Sequence, residues 1–323
     1  LFNSTWENSL TWINEHTPPD SIIDTWWPPG HFIKAIAKRR VLFDGATINN
    51  PKGYWLANAL LATSEQEALA FLRLANNDCI QAVMILREAG LTDSQTVSVL
   101  KSLIRLPEQD ALTLASQKLD GDKAKTLIAI THKDPGPVYL MVYNEMMENF
   151  LLYPFVARWN FEKVEQINAD PQLRARIPKA GSLEYINFLW DISGGNPKIS
   201  NILSAAGQQG SQIVFAENLV VDLAEKTCRI KSGKYGTGIP MFLFYEENGQ
   251  VRSLPLSGGN LPYAVVVGKR HGQYQARLLE IALAQSFLTR LYFFGDMGLN
   301  HVKLVRQDKN ITGKMQIDVF KIE

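Results

Sequence analysis

Residues 21–45, SIIDTWWPPGHFIKAIAKRRVLFDG, contain the pattern that decides the fold at the start of the chain. The apolar run at 21–26 predicts a short buried strand, and GHFIKAIA at 30–37 predicts a helix or a helical turn. A second strand-forming run at 39–43 ends at Asp44-Gly45, a dipeptide typical of turns. Because a strand, a helix and a strand follow one another so closely, the spacing favours a parallel pair of strands.

The residues before this pattern predict an amphipathic helix. Trp6, Leu10 and Ile13 recur at the helical period and form one apolar stripe. Ser4 and Glu7 have the spacing of a capping box, in which the side chain of each residue accepts a hydrogen bond from the backbone N–H of the other. We therefore expect the chain to open with a helix that buries one face.

The middle of the chain is predominantly helical in pattern. The stretch from 57 to about 130 contains helix start and stop signals, among them Thr92 as an N-cap. VYLMVY at 138–143 predicts a core strand. The following residues, 145–159, predict a helix that is kinked or ended near Pro154.

The pattern changes to strands near residue 210. Glycines recur and β-branched runs alternate with turns up to about 275, with Glu247-Asn248-Gly249 a candidate hairpin turn. A helix at about 276–290 and further strands, including LYFF at 291–294, are expected to close the chain. The predicted class is α+β, in three successive parts: a helix-rich α/β core at 1–209, a β-rich antiparallel insertion at 210–275, and a C-terminal helix with strands at 276–323.

Composition limits the classes of function. The 323 residues are 46% hydrophobic and 20% charged, so the chain can bury a full core. Lysine plus arginine (33) nearly balances aspartate plus glutamate (32), leaving a net charge of +1. Without a broad cationic field, nucleic acid is excluded as an expected partner, and an anionic membrane surface is disfavoured.

Membrane spans and cysteine patterns give further limits. The longest apolar stretches are far shorter than the roughly 18 residues that a spanning helix needs. The sequence opens on Leu1 without methionine or a signal-like segment, which predicts that residue 1 is a boundary or a cleavage point in a longer protein. Two cysteines, Cys79 and Cys228, are too few for a disulfide framework or a metal cluster. They could form one disulfide in an oxidising compartment or remain as two buried free thiols.

Common catalytic signatures do not occur in the sequence. It contains no GxSxG, HExxH, CxxC or Walker-type glycine loop, and no GxGxxG follows a strand. The histidines are scattered along the chain, so no metal-ligand spacing is present. Carboxylates such as Asp24, Asp44, Glu145 and Glu148 have the spacing of ordinary surface charges. We therefore predict neither catalytic residues nor metal ligands within these 323 residues.

The string TWWPPGH at 25–31 is the strongest candidate for a binding site. Trp27 and Pro28 each precede a proline, which favours an extended segment, and Gly30 is free to turn. An indole presents a flat apolar face and one N–H donor, so adjacent Trp26 and Trp27 suit stacking on a peptide or sugar and donation to a hydroxyl. The alternative is that the two indoles only fill the core, since one of two neighbours in a strand faces inward anyway.

The opening residues WENSLTWINEHTPPDSIIDTWWPPGHFIKAIAKRRVLFDG resemble the start of the C-terminal soluble domain of the oligosaccharyltransferase catalytic subunit family. These are multi-pass membrane enzymes that transfer an oligosaccharide from a lipid diphosphate to an asparagine of an acceptor protein. Further similarity lies in ATSEQEALAFL (62–72), NEMMENFLLYPFVARWNF (144–161) and SFLTRLYFFGDMGLNHVKLV (286–305). The likeness therefore reaches both ends and the middle of the chain.

The departures from the family pattern concern its WWDYG motif, which resemblance assigns to binding the Ser/Thr hydroxyl two residues after the acceptor asparagine. Trp26, Trp27 and Gly30 match the motif, but Pro28 and Pro29 replace its aspartate and tyrosine. The hydroxyl proton then lacks its acceptor, a loss worth about 1–3 kcal/mol in a dry site. His31, if neutral, could supply an acceptor; otherwise it is an ordinary residue at a helix start.

The family's second motif, DxxK or MxxI, has two candidate counterparts here. One is Glu145-x-x-Glu148, which would reverse the charge of the lysine, and the other is Met147-x-x-Phe150. Phe150 could pack on a threonine methyl, although Met147 and Phe150 could also be core residues. The predicted substrate-binding residues are Trp26, Trp27, Gly30, His31, Glu145, Met147 and Phe150.

Resemblance implies a function for the chain as part of a larger enzyme. It would be a membrane-anchored, extracytoplasmic domain that binds the acceptor polypeptide, inactive alone, with the lipid-linked oligosaccharide and a divalent metal (Mn or Mg) held by the missing membrane portion. No cofactor is expected in these residues. The alternative is a divergent peptide- or glycan-binding module that no longer reads the Ser/Thr of the acceptor site.

Overall fold

A computed structural model describes residues 3–47, 50–231, 235–270, 272–310 and 315–323. The chain divides into two compact units, each built from separate segments. Unit 1 comprises 1–13, 139–150 and 197–323, and unit 2 comprises 14–138 and 151–196. This partition groups distant segments, unlike the three consecutive parts expected from the sequence.

The helices match the predicted helix-rich first half and extend into the second. Gly30–Phe32 continues directly into a π-helical turn at Ile33–Ala37, and a short 3-10 turn covers Ala216–Asn218. The α-helices are α1 Ser4–His16, α2 Gly30–Phe32, α3 Lys52–Leu61, α4 Glu65–Asn76, α5 Cys79–Glu88, α6 Asp93–Leu103, α7 Glu108–Ser116, α8 Gly121–His132, α9 Asn144–Glu148, α10 Leu152–Ala157, α11 Phe161–Ala169, α12 Pro171–Arg174, α13 Leu183–Ile192, α14 Ile281–Ala284 and α15 Phe287–Phe294.

Most strands lie in the last third of the chain, so the class is α+β, as predicted. The strands are β1 Ile22–Asp24, β2 Arg40–Val41, β3 Val138–Tyr143, β4 Leu203–Gln209, β5 Gln212–Phe215, β6 Leu219–Asp222, β7 Thr227–Ile230, β8 Pro240–Glu247, β9 Gln250–Pro255, β10 Leu261–Arg270, β11 Gln273–Leu279, β12 Val302–Lys309 and β13 Gln316–Ile322.

Unit 2 contains the parallel pair predicted from the opening pattern. β1 and β2 pair in parallel, with Ile22 opposite Arg40 and Ile23 opposite Val41. The helices α3 to α8 build the core, in which Trp55 and Leu60 are fully buried. Thr92 caps α6 through a complete capping box with Gln95, which confirms the cap predicted at this position.

Unit 1 contains an eight-stranded sheet in the order β7-β6-β5-β4-β11-β10-β8-β9. Its buried face includes Phe215, Leu243 and Val265. β8 and β9 form the predicted hairpin, and Asn248 and Gly249 both have positive φ, as this two-residue turn requires. The expectation of a purely antiparallel unit is wrong at one place, because β8 and β10 pair in parallel.

Three local predictions are corrected by the structure. Residues 291–294 are helical rather than a strand: Ser286 accepts the Thr289 N–H at the start of α15, and the helix is buried all round, so its apolar residues show no period. The helix predicted at 145–159 is broken between α9 and α10, before Pro154. Pro154 lies in the first turn of α10, where backbone N–H groups have no partner within the helix, so its missing N–H does not break α10.

The third correction concerns the cap of α1. Asn3 Oδ1 accepts from the backbone N–H groups of Thr5 and Trp6, so Asn3 rather than Ser4 satisfies the first turn. The helix itself and its buried stripe of Trp6, Leu10 and Ile13 are as predicted.

Both cysteines, Cys79 and Cys228, are buried free thiols. Within the described ranges no single helix is long and apolar enough to cross a bilayer. Among the described residues, α4 and α5 taken together have the length and composition of a span, and they are bent by 81° at their break.

Candidate functional site

The loop that follows β1 forms a tight turn in unit 2. The Gly30 N–H donates to the Trp27 carbonyl oxygen at 3.1 Å, which closes a turn across Pro28 and Pro29. The prediction of an extended segment before Gly30, with Gly30 free to turn, is therefore wrong. The two prolines form the turn itself, and the helix begins directly at Gly30.

Gly30 is required for close approach rather than for an unusual backbone angle. A Cβ at this position would lie 2.6 Å from Asp44 Cβ and 3.0 Å from the Phe43 carbonyl oxygen. The start of α2 and the residues after β2 can come this close only because Gly30 lacks a side chain. The glycine therefore brings Asp44 up against the WWPPGH loop.

The two adjacent indoles have different environments. Trp26 is 8% exposed and makes edge-to-face contacts with Phe43 and Tyr153, at centroid distances of 5.5 and 4.9 Å. No acceptor among the described residues reaches its buried Nε1. Trp27 is only half-buried. Trp26 therefore anchors the loop in the core, while Trp27 has a face open to solvent.

Asp44 is an ionised carboxylate beside the loop. It is almost fully buried, and Lys34 Nζ donates to its Oδ2 at 2.5 Å. The Ala46 N–H and Thr47 Oγ1 donate to Oδ1 at 3.0 and 3.2 Å. The Lys34 hydrogen bond, helped by the other donors against the effect of burial, lowers the pKa of Asp44 to about 2. Asp44 is therefore a fixed negative charge at any physiological pH.

His31 lies between this carboxylate and the half-buried indole. Its Nδ1 is 3.8 Å from Asp44 Oδ2, and its side chain is 61% exposed. A Cβ on Gly45 would lie 3.2 Å from His31 Nε2 and 3.9 Å from Trp27 Cε3. The imidazole and the indole thus flank the same bare backbone position. His31 Nδ1 therefore lies on the side of the Asp44 carboxylate, and Nε2 lies beside the Gly45 backbone.

A second buried carboxylate lies at the end of β1, two residues before Trp26. Asp24 is fully buried and accepts a hydrogen bond from Asn76 Nδ2 at 2.6 Å. Burial raises its pKa from 3.8 to about 7, against the opposing effects of Asn76 and of the Lys52 charge. This hydrogen bond links the strand just before the loop to Asn76, the last residue of α4.

The predicted residues of the second motif lie on and after α9, in unit 1. Met147 and Phe150 are both fully buried. Glu145 is half-buried, and burial raises its pKa, with the nearby Glu148 acting in the same direction. Of these four residues, only the two glutamates have a surface open to solvent.

Arg277 holds this helix in place and was not predicted from the sequence. Its Nη1 donates to the Met147 carbonyl oxygen at 2.6 Å, and its Nε donates to the Ser200 carbonyl oxygen at 2.9 Å. The guanidinium lies 5.1 Å from the Phe150 ring centroid, and burial lowers its pKa to about 10. No local pattern distinguishes Arg277 from a surface arginine of a strand, so sequence reasoning could not find it.

The predicted site residues therefore fall into two groups. Trp26, Trp27, Gly30 and His31 come together in unit 2, and Asp44 joins them there. Glu145, Met147 and Phe150 belong to unit 1. The sequence did contain a signal for Asp44. This residue directly follows the strand predicted at 39–43, which was expected to pair with the strand before the loop.

The arrangement of potential metal ligands bears on whether a cation could bind near the loop. No group of three or more His, Cys, Asp or Glu side chains is placed to hold a metal ion there. His271 lies outside the described residues. The two buried carboxylates near the loop already accept hydrogen bonds, Asp44 from Lys34 and Asp24 from Asn76. These two carboxylates therefore do not fit a site for a divalent cation.

Comparisons with known proteins give sequence relatives over nearly the whole chain, although no family model matches. The chain is 25% identical over 312 residues, 94% of its length, to the dolichyl-phosphooligosaccharide-protein glycotransferase of Methanocaldococcus jannaschii. It is 30% identical over 168 residues, 50% of its length, to the protein of the same name from Methanococcus voltae. These matches span 32% and 18% of the two relatives, so the chain covers about a third or less of their length.

A solved structure shares the fold. The crystal structure of the C. jejuni PglB C-terminal domain aligns over 98% of this chain and 99% of that one, with a TM-score of 0.50 and 13% sequence identity. The sequence relatives and the shared fold together identify the chain as a relative of the oligosaccharyltransferase catalytic subunits, with the fold of their C-terminal domain.

Proposed function

We propose that the chain binds the acceptor polypeptide for an oligosaccharyltransferase-type membrane enzyme, on the extracytoplasmic side. That enzyme would transfer a lipid-linked oligosaccharide to an asparagine side chain. The names of the archaeal relatives and the fold of the C-terminal domain support this role. The divalent metal and the site for the lipid-linked donor would belong to the part of the protein outside this chain.

One observation carries this assignment: the half-buried Trp27 and the exposed His31 flank Gly45, with the ionised Asp44 behind the imidazole. Trp27 supplies a stacking face and an N–H donor. His31 supplies an acceptor at Nε2 when the imidazole is neutral with its proton on Nδ1, the nitrogen that lies nearer to Asp44. A Ser or Thr hydroxyl that meets both side chains can accept from the indole and donate to the imidazole.

His31 would thus replace the acceptor that is lost where Pro28 stands in the loop. The bound chain would be held so that its asparagine reaches the transfer site, and misplacement by about 1 Å can cost a hundredfold in rate. Glu145 belongs to unit 1, is half-buried, and would form a separate contact with the polypeptide. Met147 and Phe150 would act by supporting α9, because neither is open to solvent.

Peptide binding to the 323-residue chain tests this function. A labelled peptide with Asn-Ala-Thr is expected to bind roughly fivefold to tenfold more tightly than one with Asn-Ala-Ala, because one hydrogen bond is worth about 1 kcal/mol. Fluorescence anisotropy gives both affinities. Trp27→Ala should abolish binding of either peptide. His31→Ala should reduce the affinity for the Thr peptide to that for the Ala peptide.

The matched control is His16→Ala, which removes an exposed histidine of the same unit from the end of α1. It should leave both affinities unchanged. Equal affinities of the wild-type chain for the Thr and Ala peptides would contradict hydroxyl recognition and favour the divergent binding module, which the proline at position 28 already favours.

A further inference from the structure

A cavity of unit 2 lies between the helices α3, α5, α6 and α11. Its volume of about 340 Å³ falls within the range of small-molecule sites, ~300–1,000 Å³. It is lined on the side of α5 by Ile80 and Met84, which are both exposed. No residue of the WWPPGH loop, which the structure describes in full, lines it. We call this space the α3–α6 cavity.

The wall that α11 contributes to the α3–α6 cavity is fixed by contacts with two other helices. Phe161, the first residue of α11, lies edge-to-face on Tyr54 of α3, with ring centroids 5.4 Å apart. Further along α11, Glu165 Oε1 accepts from the Ser94 N–H at 2.8 Å, and Glu165 Oε2 accepts from Ser94 Oγ at 2.7 Å. Because these bonds hold α11 against the start of α6, the cavity is formed before any ligand binds.

Two residues that line the cavity have buried polar atoms without a partner. The hydroxyls of Thr113, Thr126 and Thr131 donate to the carbonyl oxygen four residues earlier, as is common for threonine in a helix. Thr96, also in a helix and 1% exposed, makes no such bond, and no described residue pairs with its Oγ1. The same is true of Nε1 of Trp55, also 1% exposed. A ligand that bonds to either atom relieves the cost of leaving it unpaired.

The chemistry of these two groups and of the lining charges defines the ligand. An indole N–H can only donate and a hydroxyl can donate, so one oxygen acceptor complements both Trp55 and Thr96. Arg87 and Asp93 are the two charged residues of the described lining, and Arg87 Nε donates to Asp93 Oδ1 at 2.7 Å. Because these two charges neutralise each other, the cavity favours a neutral ligand.

We propose that the α3–α6 cavity binds a neutral, mostly apolar small molecule through one carbonyl-type oxygen, which accepts from Thr96 Oγ1 and Trp55 Nε1. The apolar body of the ligand lies against the rings of Tyr54 and Phe161 and the side chain of Met84. This site is separate from the WWPPGH loop and does not depend on peptide binding there.

Binding of benzophenone to the 323-residue chain, measured by saturation-transfer NMR, tests this site. Diphenylmethane is the matched comparison, because it has the same two rings and lacks the oxygen. We expect benzophenone to bind at least about fivefold more tightly, the effect of one hydrogen bond. Thr96→Val keeps the shape of the side chain and removes the hydroxyl. It should remove most of this preference and leave the affinity for diphenylmethane unchanged. Trp55→Phe should lower the preference in the same direction.

Photolabelling locates the bound ketone, because benzophenone excited by near-ultraviolet light bonds covalently to neighbouring C–H groups. Tandem mass spectrometry should find the label on Val83 or Met84, which line the cavity. Val97→Trp adds a large side chain to the wall formed by α6 and should abolish both the labelling and the binding of either compound.

The matched control is Thr113→Val, at an exposed position of α7, which should leave both affinities unchanged. Thr96→Val should resist urea at least as well as the wild type, since the hydroxyl has no partner to lose, so unfolding cannot explain its effect. Absence of saturable benzophenone binding, equal affinities of the wild type for the two compounds, or a label outside the cavity would overturn the proposal.

Discussion

Single residues set the geometry of the WWPPGH loop, and Gly30 is the one with least freedom. Gly30→Ala would place a Cβ 2.6 Å from Asp44 Cβ, a contact that backbone must move to relieve. We expect a loss of about 1–3 kcal/mol in the free energy of unfolding, measured with urea. The control Gly121→Ala lies in the first turn of α8 with open space around its Cβ, so its effect should be small or stabilising.

At the same scale, Asp24 should make stability depend on pH. Its raised pKa, about 7 against 3.8 when unfolded, means that the folded protein keeps a proton that the unfolded chain has released. This stabilisation is complete below about pH 4 and is lost as the pH rises through 7. Asp24→Asn removes the titration. The difference in unfolding free energy between this variant and the wild type should therefore shift by a few kcal/mol, in favour of the variant, between pH 4.5 and pH 8.

Asp44→Asn is the control for Asp24→Asn, because folding lowers the pKa of Asp44 whereas it raises the pKa of Asp24. Its contribution is present above about pH 4 and is lost only as the pH falls towards 2. The difference between Asp44→Asn and the wild type should therefore stay constant from pH 5 to pH 8. A constant difference for Asp24→Asn over the same range would contradict the assignment of a protonated, buried acid.

At the scale of elements, the short helix α9 depends on a residue more than a hundred positions away. Arg277 donates to the backbone at both Met147 and Ser200 and lies over Phe150. Arg277→Met should cost about 3–5 kcal/mol in unfolding free energy, because two buried carbonyl groups lose a charged donor. Chemical denaturation measures this. Arg229→Met, at an exposed position of β7, should change stability by less than about 0.5 kcal/mol.

Elements also show what local sequence can predict. The N-cap of α6 at Thr92 and the Asn248-Gly249 turn were predicted because each depends on residues that are close in the chain. Residues 291–294 were predicted as a strand because nearly every residue of α15 is buried, which removes the period that distinguishes a helix from a strand. The parallel pairing of β8 with β10 was missed because a strand's partner is set by the rest of the sheet.

At the scale of the whole molecule, the α+β class and the similarity to oligosaccharyltransferases could be predicted from sequence. The division into units could not, because the segments 1–13, 139–150 and 197–323 join through contacts between distant residues. The candidate site shows the same limit. Sequence singled out Trp27 and His31, whereas the carboxylate behind them, Asp44, is placed by the pairing of β2 with β1 and by the bare backbone of Gly30.

The strand order of the large sheet has a consequence for the behaviour of the protein at high concentration. The sheet ends at β9, whose side chains are mostly exposed and whose residues include Arg252 and Pro255. A charged side chain and a residue without an N–H make a poor template for another strand. The protein can therefore keep an eight-stranded sheet in solution without offering this edge as a seed for fibres.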